Sequence, residues 1–117
     1  MLFKKTSYTI GLYSEFLARW FLRLHGYHIL RNRYITGKNT SRAEIDIIAR
    51  KRNTIVFIEV KSRQTIDAAW GAITPTQSAR LRRAAETYLI NKRWSGDARF
   101  DVIVVCKNKI YWAKNAI

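Results

Sequence analysis

The amino-acid sequence predicts an α/β protein with a central mixed β-sheet flanked by α-helices, in the order α-β-β-β-α-β-β. Two long stretches have apolar side chains at helical spacing, and five stretches are rich in β-branched and aromatic residues. The first three strands follow one another as an antiparallel meander, and a helix lies before and after them. With 117 residues, of which 48% are hydrophobic, the chain is expected to form one domain over residues 1–117.

The first predicted helix covers residues 9–25. Its apolar side chains recur at helical spacing, at Leu12, Phe16, Trp20 and Leu24. Gly26 follows as a stop signal. Residues 27–35 alternate loosely between apolar and polar side chains, which predicts a strand at an edge of the sheet, and residues 36–42 form a polar loop.

The second and third strands are predicted to form a β-hairpin. Residues 43–50 place Glu44 and Asp46 on one face of a strand, and Ile45 and Ile47 on the other. The basic turn at residues 50–53 joins this strand to the next, at residues 55–62. Residues 64–73 are predicted to be a loop with a short helical turn.

The second long helix begins with a capping box. Thr74 is the N-cap, Pro75 occupies the first helical position, and Gln77 lies three residues after the cap. The apolar stripe of this helix consists of Leu81, Ala84, Ala85, Tyr88 and Leu89. Residues 99–106 and 109–114 then predict the last two strands, joined as a hairpin.

The charge of the chain indicates a polyanionic partner. Twenty-two Lys and Arg oppose eight Asp and Glu, which gives a net charge of +14 and a pI near 10.5. Nucleic acid is the simplest such partner; a membrane is not expected, because no basic amphipathic helix supports an acidic membrane surface. A basic protein that uses no patch is the alternative.

Several other functional classes are not expected. A single cysteine, Cys106, allows no internal disulfide and lacks the clustering of a zinc site. No apolar run approaches the roughly 20 residues of a membrane span, and the N-terminus lacks the apolar core of a signal peptide. We therefore expect a cytoplasmic protein.

An unusual group of charged residues occurs in "IVFIEVKSR", residues 55–63. Glu59 and Lys61 lie on one face of an apolar strand, where burial of an unpaired charge costs several kcal/mol. Asp46, on the neighbouring strand of the hairpin, is also an acid among apolar residues. Two carboxylates that point the same way, with the Val60 carbonyl between Glu59 and Lys61, predict a site for a hard divalent cation such as Mg²⁺.

Lys61 indicates which reaction this site could catalyse. An ammonium group beside a metal-bound water can orient that water and stabilise the charge of a phosphate transition state. This chemistry suits hydrolysis of a phosphodiester. In the alternative interpretation, Glu59 and Lys61 are solvent-facing residues of a half-exposed strand, since an E-x-K sequence is common.

Two further acids, Glu15 and Asp101, have more than one interpretation. Glu15 follows Gly11 by one helical turn, with Ala18 and Leu22 nearby on the same face. Small residues there let the helix approach the sheet, so Glu15 could reach the site directly or through a metal-bound water. Its alternative is an exposed helix glutamate. Asp101 lies in an apolar strand, where it either pairs with Arg99 or serves as a structural acceptor.

Basic residues cluster around these acids. Since nothing resembles a base-reading helix, we expect phosphate contacts and weakly selective or structure-selective binding of nucleic acid that falls steeply with salt. The residues predicted to make these contacts are Arg31, Arg33, Lys38, Arg42, Arg63, Arg80 and Arg83.

Four segments together resemble the YraN-like family of bacterial predicted endonucleases: "GLYSEFLARWFLRLHGYHILRNRY", "AEIDIIAR", "FIEVKSR" and "RFDVIVV". The resemblance implies the PD-(D/E)XK restriction-endonuclease-like fold and a layout similar to that of archaeal Holliday junction resolvases. It also implies a metal-dependent DNA endonuclease that uses Mg²⁺, or Mn²⁺ in its place. The family pattern places the helix acid at Glu15, the metal-binding aspartate at Asp46, and the E-x-K at Glu59 and Lys61.

The resemblance leaves the substrate and the assembly open. Branched DNA follows from the resolvase layout alone, and a homodimer follows because two strands must be cut. A non-catalytic nucleic-acid-binding module and an RNA-binding or RNA-processing protein are the alternatives. The sequence departs from the family at Ala43, where glycine is usual, and at Gln77, where lysine is frequent; the capping box explains Gln77 equally well, so it is not assigned to the site.

Overall fold

The computed structural model describes residues 6–37 and 42–117. Its helices and strands confirm the predicted α/β class and the order of the long elements, and a short helix lies within residues 64–73, where a short helical turn is predicted. The elements are α1 (Ser7–Leu24), β1 (His28–Thr36), β2 (Ala43–Lys51), β3 (Thr54–Ser62), α2 (Ile66–Gly71), α3 (Pro75–Lys92), β4 (Asp97–Cys106) and β5 (Lys109–Ala113). The polar loop predicted at residues 36–42 lies mostly outside the described residues.

The five strands form one mixed sheet in the order β1-β2-β3-β4-β5. Neighbouring strands are antiparallel except for β3 and β4, which run parallel through nine residue pairs, from Thr54 opposite Asp97 to Ser62 opposite Val105. A parallel pair needs a crossover connection, and α2 and α3 supply it. The predicted position of β1 at an edge of the sheet is confirmed.

The two long helices cover opposite faces of the sheet. Ala18 and Leu22 of α1 are fully buried in one cluster, together with Ile47, Val56, Ile58 and Ile103. The predicted stripe of α3 lies in a second cluster, in which Leu81, Ala84, Ala85 and Tyr88 pack with Ile48, Ile55 and Phe57. Because β3 contributes to both clusters, it is apolar on both faces, which explains its nearly uninterrupted apolar sequence.

The apolar residues that identify α1 do not face the sheet. Leu12, Phe16, Trp20 and Leu24 are 39%, 46%, 50% and 79% exposed, whereas Ala18 and Leu22, on the other side of the helix, are fully buried. Small side chains on the buried side allow α1 to lie close to the sheet, as predicted for the surroundings of Glu15. In residues 6–37 and 42–117, no helix has the length and apolarity that a membrane crossing requires.

Asp101 is a structural acceptor at the junction of three elements. Its buried carboxylate accepts hydrogen bonds from Arg99 Nε (2.8 Å) and Nη2 (2.9 Å), from Trp112 Nε1 (2.8 Å) and from the Asn115 backbone N–H (2.8 Å). Arg99 Nη2 also donates to the Tyr27 hydroxyl at 3.0 Å. The hydrogen bond to Asp101 is the main reason that the pKa of Arg99 is raised. The structure therefore shows both roles predicted for Asp101: it pairs with Arg99, and it accepts hydrogen bonds that join neighbouring elements.

Replacing Asp101 should destabilise the whole domain. Asp101→Asn keeps the volume but leaves the Arg99 guanidinium without its counter-charge, and removing one partner of such a pair costs about 3 kcal/mol or more. Urea denaturation should show this loss, while Asp97→Asn, at an exposed acid of the same strand, should leave the free energy of unfolding nearly unchanged. Equal stabilities of the two variants would contradict the structural role.

Candidate functional site

The hydrogen-bond ladder between β2 and β3 ends just before the predicted site. Its register extends from Lys51 opposite Thr54 to Ile47 opposite Ile58. One residue further along, Asp46 Oδ2 accepts a hydrogen bond of 2.8 Å from the Val60 backbone N–H. A carboxylate thus takes the place of a strand carbonyl, and the two strands diverge at this end of the hairpin.

The direction of side chains along β2 also changes here. Ile47 packs in the α1-side cluster, but Ile45 packs in the α3-side cluster. The prediction that Ile45 and Ile47 share one face is therefore wrong, because the strand departs from regular alternation at Asp46. Ala43 pairs with Thr36 in the β1–β2 ladder and is buried, so an alanine fits this position as an ordinary strand residue.

The structure brings the carboxyl groups of Asp46 and Glu59 into contact. Glu59 is only 6% exposed. Burial, followed by the hydrogen bond to Glu59 and its negative charge, raises the pKa of Asp46 to about 9. Asp46 therefore holds its proton more tightly than an exposed aspartate does.

Lys61 lies beside this pair, as predicted. Its Nζ is 3.6 Å from Glu59 Oε1, and its side chain is only 12% exposed. A nearly buried ammonium next to a buried carboxylate is not the solvent-facing arrangement of the alternative interpretation. The structure thus places the amine where a group bound at the carboxyl pair would meet it.

Gln77 is a site residue that sequence reasoning missed. Its backbone N–H donates to Thr74 Oγ1 at 3.1 Å, which confirms the N-cap. Its side chain, however, points towards β3. In the amide orientation that satisfies both ends of the group, Oε1 accepts from Lys61 Nζ at 3.2 Å and Nε2 donates to the Ala72 carbonyl at 3.2 Å. In the opposite orientation, Nε2 lies 3.5 Å from Glu59 Oε2. The sequence signal was a long polar side chain in the first turn of the helix that follows E-x-K.

Glu15 lies at the same site but is bound by an arginine. Arg33 donates from Nε to Oε1 at 3.2 Å and from Nη2 to Oε2 at 3.3 Å. Burial, and next the charge of Asp46, raise the pKa of Glu15, while Arg33 opposes that shift. Arg33 has a left-handed backbone (φ 53°), an uncommon conformation for this residue type. Glu15 is therefore placed near the carboxyl pair and is held there through β1.

The side chains of Glu15, Asp46, Glu59 and Lys61 line one cavity of about 480 Å³. The wall from α1 is small and partly polar, because Gly11 and the buried Ser14 face it. Neither residue was predicted for the site, and only the small size of the residues on this helix face indicated it. The complete lining is Ile10, Gly11, Ser14, Glu15, Asp46, Glu59, Val60, Lys61, Ser62 and Arg63.

The basic residues predicted to contact nucleic acid occupy several elements. Arg63 is exposed and lines the cavity. Arg33 is engaged by Glu15, while Lys38 lies outside the described residues. The remaining four are exposed on β1, before β2 and on α3: Arg31, Arg42, Arg80 and Arg83.

The donor set fits a hydrated Mg²⁺ better than a fully protein-bound ion. In residues 6–37 and 42–117, no group of three His, Cys, Asp or Glu side chains is arranged around one ion position. Mg²⁺ usually keeps several waters and binds through one or two carboxylates, whereas Ca²⁺ takes six to eight oxygen ligands. A cation bound at these carboxylates would relieve the charge of Glu59 on Asp46, which is one cause of the raised pKa of Asp46.

Comparison with known proteins identifies close relatives. The sequence profile of the uncharacterised protein family UPF0102 matches residues 14–105. A UPF0102 protein of Paramagnetospirillum magneticum is 39% identical over 97 residues, which cover 81% of this chain and 75% of that protein. UPF0102 proteins of Bradyrhizobium sp. and Bartonella tribocorum are 38% and 34% identical, covering 89% and 87% of this chain and 75% and 77% of their own. The predicted resemblance to YraN-like proteins is confirmed at the level of the family.

The carboxyl pair predicts an unusual pH dependence of stability. The pKa of Asp46 rises from an ordinary 3.8 to about 9 on folding, so the folded state binds the extra proton. This stabilisation is complete at low pH and is lost as the pH rises through about 9. The asparagine of Asp46→Asn has no acidic proton to lose, and its amide oxygen can still accept the hydrogen bond from the Val60 N–H. In EDTA at alkaline pH, the Tm of this variant should therefore exceed that of the wild type by several degrees. A difference of about 4 °C corresponds to 1 kcal/mol.

The exposed Asp97 provides the matched control for this measurement. Asp97→Asn should retain the alkaline loss of stability that the wild type shows. A Tm of Asp46→Asn below that of the wild type at alkaline pH would contradict the raised pKa of Asp46.

Proposed function

This chain belongs to the UPF0102 family, and we propose that it is a Mg²⁺-dependent endonuclease that hydrolyses phosphodiester bonds in DNA. The observation that supports this most directly is the convergence of Asp46, Glu59 and Lys61 in one cavity where β2 and β3 separate. Two carboxyl groups and an amine at one opening form the minimal arrangement for metal-assisted attack of water on a phosphate.

The residues divide between holding the ion and positioning water. Asp46, Glu59 and the Val60 carbonyl would hold Mg²⁺ (or Mn²⁺), which supplies neutralisation of phosphate charge and a more acidic water when bound. Lys61 orients the attacking water through its ammonium group. Gln77 accepts from Lys61 and fixes its direction, so it is a positioning residue in this proposal.

The reaction itself is hydrolysis. The water oxygen forms a new bond to phosphorus, the bond from phosphorus to the leaving deoxyribose oxygen breaks, and that oxygen receives a proton from the water. One strand end then carries a phosphate and the other a hydroxyl. Lys61 stabilises the negative charge that develops on the phosphate oxygens. Glu15 assists from α1, where its ion pair with Arg33 holds the carboxylate at the cavity.

The charge of the chain supports DNA as substrate without selecting a sequence. Exposed arginines before β2, on β1 and on α3 suit phosphate contacts, which position a duplex but do not read bases. Branched DNA is our preferred substrate class, on the layout shared with Holliday junction resolvases. A module that binds nucleic acid without cutting it, and an RNA-directed protein, are outcomes that the assays below distinguish.

Removal of the lysine should abolish cleavage while binding persists. With Mg²⁺ or Mn²⁺ and linear, single-stranded and four-way DNA, Lys61→Ala should reduce the cleavage rate by about 10²-fold or more, as loss of an electrostatic stabiliser does. Lys109→Ala, at an exposed lysine of β5, should cleave like the wild type. Full activity of Lys61→Ala would assign the cutting to another site or to a contaminant, and wild type that binds but never cuts would favour the binding module.

Binding should depend on salt through individual arginines. Arg63 lines the cavity, so Arg63→Ala should weaken DNA binding across all sequences and lower the slope of log K against log salt by about one. Lys109→Ala, outside the cavity lining, is expected to keep the wild-type slope. Fluorescence anisotropy at a series of salt concentrations measures both, and the same titration with RNA competitor tests the preference for DNA. An unchanged slope for Arg63→Ala would remove this residue from the interface.

A further inference from the structure

One side of α1 exposes large apolar residues along its whole length. We name it the α1 face. It lies opposite the side that packs on the sheet, where Ala18 and Leu22 are fully buried. Its members are Tyr8 (66% exposed), Leu12 (39%), Tyr13 (56%), Phe16 (46%), Trp20 (50%) and Leu24 (79%).

The size of the α1 face distinguishes it from ordinary surface. An aromatic side chain presents on the order of 150–250 Å², so these six residues together expose roughly 500–600 Å². Single exposed apolar residues are normal, whereas a patch of this size reaches the upper end of the largest apolar patch on a typical monomer, and such patches are often functional. Ile90 on α3 is the contrasting case, since it is 73% exposed but is the single large exposed apolar residue of its helix.

The charges on α1 favour a second copy of the chain in antiparallel orientation. Residues 6–14 contain no charged side chain, and the charges on the exposed side of α1 are Arg19 and Arg23 in its second half. A parallel pair of α1 helices would bring these arginines against each other. An antiparallel pair brings them against the uncharged aromatic half of the other helix, where Tyr13 can receive a guanidinium as Trp20 already receives Arg23 at 5.7 Å.

We propose that the α1 face is the interface of a homodimer, in which two α1 helices pack antiparallel about a two-fold axis at Phe16. This register places Leu12 against the partner's Trp20 and Tyr8 against the partner's Leu24. The interface would bury roughly 1,000–1,200 Å² in total, at the low end for specific complexes, so the dimer is reversible and forms at micromolar concentrations. The proposal is independent of the nuclease assignment.

Dimer formation leaves the cavity open. Gly11 and Ser14 line the cavity from the opposite side of α1, and Ser14 is buried against the sheet. Contacts through Phe16 and Trp20 therefore do not compete with a substrate. Failure of dimerisation and failure of cleavage are separate results, measured on different variants.

Sedimentation velocity over a range of micromolar concentrations tests the interface. The wild type should show a monomer–dimer equilibrium. Phe16→Glu should raise the dissociation constant at least about tenfold, as loss of a central aromatic contact does. Ile90→Glu adds the same charge at an isolated exposed apolar residue and should dimerise like the wild type. A wild type that stays monomeric, or a Phe16→Glu variant that dimerises normally, would overturn the proposal.

Disulfide trapping tests the antiparallel register without a charged substitution. In a Cys106→Ser background, Phe16→Cys should form a covalent dimer under mild oxidation, while Ile90→Cys should not. Leu12→Cys chains should cross-link only when mixed with Trp20→Cys chains; covalent dimers of Leu12→Cys alone would indicate a parallel pair and refute the register. Circular dichroism establishes that each variant is folded, and the trapping result decides the question if Phe16→Glu is not. Wild type that is monomeric but sediments with anionic vesicles would assign the face to a lipid surface instead.

Discussion

The contact between two carboxyl groups in an apolar sheet, with the Lys61 ammonium beside them, is the constraint around which the local structure of this protein is arranged. Asp46 reaches Glu59 only because the β2–β3 ladder stops at Ile47 and Ile58, which frees the Val60 N–H to bind the carboxylate. If the ladder continued, Asp46 would face a paired strand and the cavity would close. The end of the ladder and the raised pKa of Asp46 are thus two consequences of one local geometry.

The topology brings the remaining groups to this end of the sheet. Because β3 and β4 are parallel, the chain crosses over after Ser62, and the first turn of α3 lies near the end of β3. Gln77 can then reach Lys61. From the other side, α1 approaches closely over Ala18 and Leu22, which places Glu15 at the cavity. Away from the cavity, the Asp101 carboxylate accepts hydrogen bonds from Arg99, Trp112 and Asn115 and thereby joins β4, β5 and the segment that follows β5.

Periodicity and capping signals were sufficient to predict the order of elements, the hairpin and the parts of the site that lie on strands. Spacing of two along β3 determines that Glu59 and Lys61 share a face, whatever the rest of the fold does. The buried face of α1 could not be derived in this way, because large apolar residues lie on both sides of the helix: Leu22 is fully buried, whereas Phe16 and Trp20 are exposed. The capping box already explained Gln77 from the sequence, so only the tertiary position of α3 shows that its side chain reaches Lys61. The change of face at Asp46 likewise depends on where pairing ends.

The two sides of α1 link the candidate site to the proposed dimer. The cavity is lined by residues 10–15, in the first half of a helix that is 18 residues and thus about 27 Å long. In an antiparallel pair centred on Phe16, the first halves of the two helices point to opposite ends, so the two cavities lie apart and on the outer sides of the pair. On the proposed function each cavity would act on its own phosphate, so a ligand that touches both must span two domains. Two separated strands of a branched duplex meet this geometric condition, whereas a single-stranded segment contacts one cavity at a time.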